Sequence, residues 1–300
     1  MSWSTSSSSS GGPGPHHHHH HPLLALSACT ALSLTYVLTL YSLVPQSIRQ
    51  LERNDATQIK ARTLSAMASS VVAVGVTGSS VLYQQGHISN LGSLMGIHAA
   101  HLLPALTLPL GSFVLLFSGP LAQIYLQSTS YNWFSEYPWI NARNLVVAPV
   151  TEELVFRSCI GTTMVVLGGF SYPSVVFGAP LFFGLAHIHH GIASILKGEP
   201  VIDAVTTATF QTVYTTLFGA LEMLVFLKTG HVASAAVVHA WCNFMGLPRV
   251  DLLFQSQSKM KIGLACSAYV FGIAAFCGGV FTQATNPDLY QGALWKIMSR

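Results

Sequence analysis

The sequence predicts an all-α, polytopic transmembrane bundle of about eight helices around an intramembrane polar cavity. Three observations predict it. Only 8% of the 300 residues are charged, against about 25% in soluble domains, so few of its surfaces suit water. From Thr63 to Ser135 the chain holds no Asp, Glu, Lys or Arg. Runs such as LLALSACTALSLTYVLTLYSLV at Leu23–Val44 reach the ~20 apolar residues that cross a bilayer core. Alternating segments of about ten residues, which would mark a membrane β-barrel, are not visible.

Taken in order, residues 1–22 read as a disordered tail. Met1–Pro15 is rich in Ser, Gly and Pro, a composition that buries too little to fold. The six histidines His16–His21 read as a tag or native tract and are set aside as a site. The apolar run after them has no basic segment before it and no cleavage site, so it reads as a retained helix, not a signal peptide. Residues 23–140 then carry helices at about 23–44, 64–83 and 98–118, each a long apolar stretch. Residues 141–250 carry four more, at 142–167, 173–190, 203–227 and 231–247, and residues 251–300 carry a last helix at 261–281 and a tail. The linkers Pro45–Arg62 and Pro248–Lys261 hold most of the lysines and arginines. The positive-inside rule puts their shared side in the cytosol, although Lys296 and Arg300 then fall on the other side. Scattered cations give no face for nucleic acid. Five unpaired cysteines in apolar surroundings read as buried free thiols, with neither a disulfide framework nor a zinc motif.

Polar residues at membrane depth single out three segments, because each ionisable group there costs about 2.5–3.5 kcal/mol on insertion scales. The first is APVTEELVFR at Ala148–Arg157. Glu153 and Arg157 are i,i+4 with the acid first, the better orientation for an ion pair. Glu152 points about 100° away from Glu153, so one glutamate is matched by the arginine while its neighbour faces elsewhere. A purely structural ion-pair knot fits this segment equally well. The second segment is FFGLAHIHHG, where Phe183 and His187 share a helix face and His189 and His190 follow at the membrane edge. The third is HAWCNFMG, where His239 and Asn243 share a face and both can donate hydrogen bonds from uncharged side chains. Packed histidines and interhelical glue are the plain readings of these two.

Topology favours a shared site. If the helices from 142 onward alternate in direction, Glu152, His187 and the His239/Asn243 pair all lie at similar depth near one surface. A carboxylate, a neighbouring histidine and two separate donors are the parts needed to hydrolyse an amide. Glu152 would take a proton from water with help from His187, and His239 and Asn243 would stabilise the oxyanion. A serine triad lacks its G-x-S-x-G elbow, and Cys159 and Cys242 lack the electropositive, accessible setting of a reactive thiolate. Zinc held by Glu152, His187 and His239 is chemically valid, although no H-E-x-x-H pair is present.

Three motifs in order, E-E-x-x-x-R (Glu152, Glu153, Arg157), F-x-x-x-H (Phe183, His187) and H-x-x-x-N (His239, Asn243), resemble those of the eukaryotic CAAX prenyl endopeptidases, the Ras and a-factor converting enzymes within the CAAX protease and bacteriocin-processing family. The T-G-H and C-N-x-M-G flanks (Thr229–His231, Cys242–Gly246) strengthen the likeness over about residues 141–250. The resemblance implies a metal-free, glutamate-dependent endopeptidase of the endoplasmic reticulum membrane, open toward the cytosol. It would release the last three residues of prenylated C-a-a-X proteins such as Ras- and Rho-like GTPases. Catalytic roles then fall to Glu152, His187, His239 and Asn243, supported by Glu153, Arg157, Phe183 and His190. A prenyl chain partitions into lipid, so the substrate meets the site in the bilayer, between a prenyltransferase upstream and an isoprenylcysteine carboxyl methyltransferase downstream. A non-proteolytic scaffold for lipidated tails, a zinc-dependent form of the protease and a proton-coupled transporter are the rival readings.

Overall fold

The computed structural model describes residues 19–127, 132–254 and 258–299, and among them every regular element is a helix. The expected tail Met1–Pro15 and the first three histidines of the tract lie outside the described residues. Helix α1 (Pro22–Ser42) and helix α2 (Ala56–Gln85) pack side by side. Asp55 caps α2, its Oδ1 accepting from the backbone N–H groups of Thr57 at 2.7 Å and Gln58 at 3.2 Å. Such a cap satisfies helix-start donors that otherwise have no partner. The cap also shortens the expected linker Pro45–Arg62, because Lys60 and Arg62 ride on the first turns of α2.

Helices α3 (Leu102–Leu116) and α4 (Ser118–Gln127) are one apolar stretch bent by 56°, longer than the segment expected at 98–118. A continuous helical run, α5, spans 138–166 and carries the paired glutamates. Helices α6 (Tyr172–Ala186) and α7 (Ile188–Leu196) break at His187, and α8 (Val201–Thr229), α9 (Val232–Met245) and α10 (Lys259–Ala275) complete the bundle. Each segment expected from the sequence overlaps these helices, although 173–190 crosses the break at His187 and 261–281 runs past the end of α10. Five helical stretches are long and apolar enough to cross a membrane, or six with the bent pair as one span. α5 falls outside that set because it carries Glu152, Glu153 and Arg157, and α9 because it has only 14 residues. Leu64, Val71, Phe177 and Phe271 stand 60–73% exposed, an arrangement stable only if lipid covers them. The protein is thus a multi-pass membrane protein.

Two features of the bundle position the site. The first is a close crossing of α6 and α8. A Cβ on Gly184 would lie 1.9 Å from Thr216 Oγ1, and one on Gly219 would lie 3.1 Å from Pro180 Cβ and 3.3 Å from Arg157 Nη2. Small residues let helix backbones approach in this way. The second is a pair of π-turns in α5, Arg143–Val147 and Leu154–Cys159, on either side of the glutamates. The first has a cause in the sequence. Ala148 N–H bonds to Arg143 O in the wide register, and the next bond of that register would run from residue 149 to Asn144 O. Pro149 has no N–H, so the Asn144 carbonyl is released.

The expectation of five buried thiols needs correcting. Cys29, Cys159 and Cys242 are buried, but Cys266 is half-buried and Cys277 exposed. Cys266 sits on α10 and Cys277 on the π-turn Phe276–Val280 that follows it. All five are free.

Candidate active site

The three motif segments meet on one face of the bundle. Glu152, His187, His239 and Asn243 all line a single cavity of about 620 Å³. Phe183 and His190 line it too, with Tyr36, Arg53, Arg62, Arg143, Tyr214 and Phe218.

Beneath the cavity floor lies a fully buried charge cluster. Arg157 Nη1 sits 3.1 Å from Glu153 Oε1, the i,i+4 pair expected from the sequence. Arg157 Nη2 donates to Glu222 Oε2 at 2.8 Å. Its guanidinium also lies over the Phe183 ring, 4.1 Å from the centroid, a favourable cation–π stack. Glu222, in the C-terminal third of α8, completes a site that the three motifs leave incomplete. An isolated carboxylate inside an apolar span is itself a functional signal, and that signal was present in the sequence.

The two adjacent glutamates differ sharply. Glu153 is 0% exposed and bound by Arg157, whereas Glu152 is 20% exposed at the cavity wall and makes no contact with Arg157 below 4 Å. This separation follows from the 100° step between neighbouring helix positions. One acid completes the buried cluster and the other faces open space.

The histidines are oriented by their second nitrogens. His187 terminates α6, and its Nδ1 lies 2.8 Å from the Phe183 carbonyl. A carbonyl only accepts, so Nδ1 carries the hydrogen and Nε2 is left as an acceptor. His239 Nδ1 lies 2.7 Å from Glu153 Oε1 and 3.6 Å from Glu222 Oε2, while its Nε2 lies 3.8 Å from Glu152 Oε2. By the same logic its Nδ1–H is taken up by Glu153. To donate from Nε2 as well, as the oxyanion role read from the sequence needs, the ring would have to be an imidazolium. Phe218 and Phe183 pack edge-on against His239, with centroids 5.4 and 6.3 Å away.

Asn243 Nδ2 donates to the released Asn144 carbonyl at 2.9 Å. The helix distortion at Pro149 thus fixes the side chain of a residue on a remote helix. One amide hydrogen is used there, and the second is available to the cavity. His189 and His190 stack with centroids 3.9 Å apart, and His189 also packs edge-on against Tyr41 of α1. Both rings line the cavity.

Among the described residues, the set with metal-ligand spacing is Glu153, Glu222 and His239, which differs from the Glu152, His187 and His239 of the rival zinc reading. Arg157 already contacts one oxygen of each of those carboxylates, Glu153 Oε1 and Glu222 Oε2, so a guanidinium supplies positive charge that a metal would otherwise bring.

Fold and site together define a multi-pass helical membrane protein with a polar cavity of about 620 Å³ lined by a carboxylate and histidines. Residues 134–245 match the family model for Type II CAAX prenyl endopeptidase Rce1-like. The chain is 31% identical to CAAX prenyl protease 2 of Arabidopsis thaliana over 89% of its own length and 91% of that protein's. It is 33% identical to the probable CAAX prenyl protease 2 of Schizosaccharomyces pombe over 76% of its length and 82% of that protein's. Against human CAAX prenyl protease 2 it is 32% identical over 67% of its length, and the match spans 64% of the human protein. The chain belongs to the Rce1-like family of CAAX prenyl endopeptidases. No solved structure matches it.

Proposed function

We propose that this chain hydrolyses the C-terminal C-a-a-X segment of prenylated proteins, releasing the last three residues, with Glu152 as the base. The observation that carries this reading is the split between the two adjacent glutamates. Glu153 is consumed by Arg157 and His239, while Glu152 faces the cavity that His187, His239 and Asn243 also line.

In the proposed step, a water held between Glu152 and the free Nε2 of His187 loses its proton to Glu152. Its oxygen bonds to the scissile carbonyl carbon, and the carbonyl oxygen becomes an oxyanion. The second amide hydrogen of Asn243 and Nε2–H of His239 stabilise that charge, with Glu153 and Glu222 balancing the imidazolium. When the C–N bond breaks, Glu152 returns the proton to the leaving amine. No metal is required, and the contact of Arg157 with both carboxylates of the metal-spaced set supports that assignment.

The remaining parts of the proposal concern setting. The cavity-side loops and helix ends carry Arg49, Arg53, Lys60, Arg62, Arg143, Lys197, Arg249, Lys259 and Lys261, and the opposite side carries Lys228 and Lys296. The positive-inside rule supports a cavity facing the cytosol, where prenylated tails arise. The endoplasmic reticulum membrane, Ras- and Rho-like GTPases as substrates, a prenyltransferase before the step and a carboxyl methyltransferase after it follow from the resemblance.

The test is hydrolysis of a farnesylated C-a-a-X peptide by purified protein in detergent. Wild type should cleave it with or without a strong chelator, and Glu152→Ala and His187→Ala should not. Chelation that abolished turnover, with recovery on adding zinc, would remove the metal-free mechanism. Wild type that bound the farnesylated tail without cutting it would favour the scaffold reading.

A further inference from the structure

The cavity has a charge imbalance that the chemistry above does not use. Glu152 is the single carboxylate among its lining residues, against three arginines, Arg53, Arg62 and Arg143. None of the three makes an ion pair among the described residues. Arg62 Nε is buried with no hydrogen-bond partner. Arg143 is held in place, its Nε donating to Asn144 Oδ1 at 2.9 Å and its Nη1 to Arg53 O at 3.1 Å and Asn54 Oδ1 at 3.2 Å. These contacts leave Nη2 of Arg143 free and pin the loop that carries Arg53. Three like charges brought together with an orphaned donor form a ready receptor for an oxyanion, since planar guanidinium forks match carboxylate geometry.

The spacing indicates which anion. Arg143 and Glu152 lie nine residues apart on α5, which is about 13 Å along a helix axis. From a scissile carbonyl, three extended residues place the chain's terminal carboxylate about 10 Å away. An arginine side chain spans the small remaining difference. We propose that Arg53, Arg62 and Arg143 form an anion subsite that holds the C-terminal carboxylate of the substrate, and that this contact sets cleavage three residues from the end. The inference rests on the endopeptidase reading. It adds what makes the cut tripeptide-specific: the subsite recognises a free chain terminus of fixed reach, and the prenyl group supplies affinity from the lipid side. A phospholipid phosphate offers similar oxyanion chemistry, but the arginines share a cavity with Glu152, which favours the peptide.

The test uses the full chain in phosphatidylcholine vesicles and two farnesylated peptides of one sequence, ending in a free acid or an amide. Because a charged hydrogen bond is worth about ten-fold or more, wild type should prefer the acid by at least about ten-fold in kcat/KM, mostly through KM. Arg53→Gln and Arg62→Gln should reduce that preference to about two-fold or less, whereas Arg249→Gln, outside the cavity, should keep it. Equal cleavage of acid and amide by wild type would overturn the subsite while leaving the endopeptidase intact. Arginine variants that weakened both peptides equally would show a structural role and overturn it too. Variant effects seen only when phosphatidylserine is added, and alike for both peptides, would assign the arginines to anionic lipid headgroups instead. Cleavage of neither peptide by wild type would end both proposals.

Discussion

Removing Arg157 should be the most damaging single change to the fold. Glu153 and Glu222 are each 0% exposed and Arg157 is 1% exposed, with contacts of 3.1 and 2.8 Å. Arg157→Met keeps much of the volume but leaves two buried carboxylates facing each other across His239. Breaking a buried ion pair by removing one partner costs about 3–5 kcal/mol. At roughly 2–4 °C per kcal/mol for a chain of this size, the melting temperature in detergent should fall on the order of 10 °C. Adding Glu222→Gln to Arg157→Met removes one uncompensated charge and should recover at least ~1 kcal/mol, so the two substitutions should be clearly non-additive. The assay is thermal unfolding of wild type, both single variants and the double variant under one condition. An Arg157→Met protein as stable as wild type, or strict additivity, would refute the cluster as described.

Three further outcomes are expected. Gly184→Val should lower both melting temperature and turnover, because its side chain would enter Thr216 and Thr212 of α8 and push the end of α6, with His187, out of place; adding Thr216→Ala should restore part of both. Asn243→Ala should cut kcat by about 10²–10³, the usual cost of losing an oxyanion donor, with little change in melting temperature, since the residue is exposed to the cavity side. Cys159→Ala should leave turnover of the farnesylated peptide near the wild-type rate, because that thiol is buried away from the cavity lining.

The sequence made the helices legible because lipid imposes a plain rule: every long apolar run must be helical and about as long as the bilayer is thick. It also made Glu153–Arg157 and the separation of Glu152 legible, since both follow from helix periodicity alone. The ends of elements were less visible. The cap at Asp55 extended α2 well before Leu64, and the bend after Leu116 hid α4. Glu222 escaped because it belongs to no short motif, and its partner Arg157 is 65 residues away in the chain. The bond from Asn243 to the Asn144 carbonyl required knowing that the helix before Pro149 adopts the wide register. A proline at that position allows the distortion without dictating its form. The orientation of the His239 ring likewise depends on which carboxylate lies beside Nδ1, a tertiary fact.

The most direct measurement compares Glu152→Gln with Glu153→Gln, isosteres that differ only in which neighbour loses its charge. Glu152→Gln should melt within about 2 °C of wild type yet lose about 10²-fold or more in kcat, the scale of general-base catalysis. Glu153→Gln should instead lose stability first, through Arg157 and His239. A Glu152→Gln protein that cleaves farnesylated peptide at the wild-type rate would contradict the account.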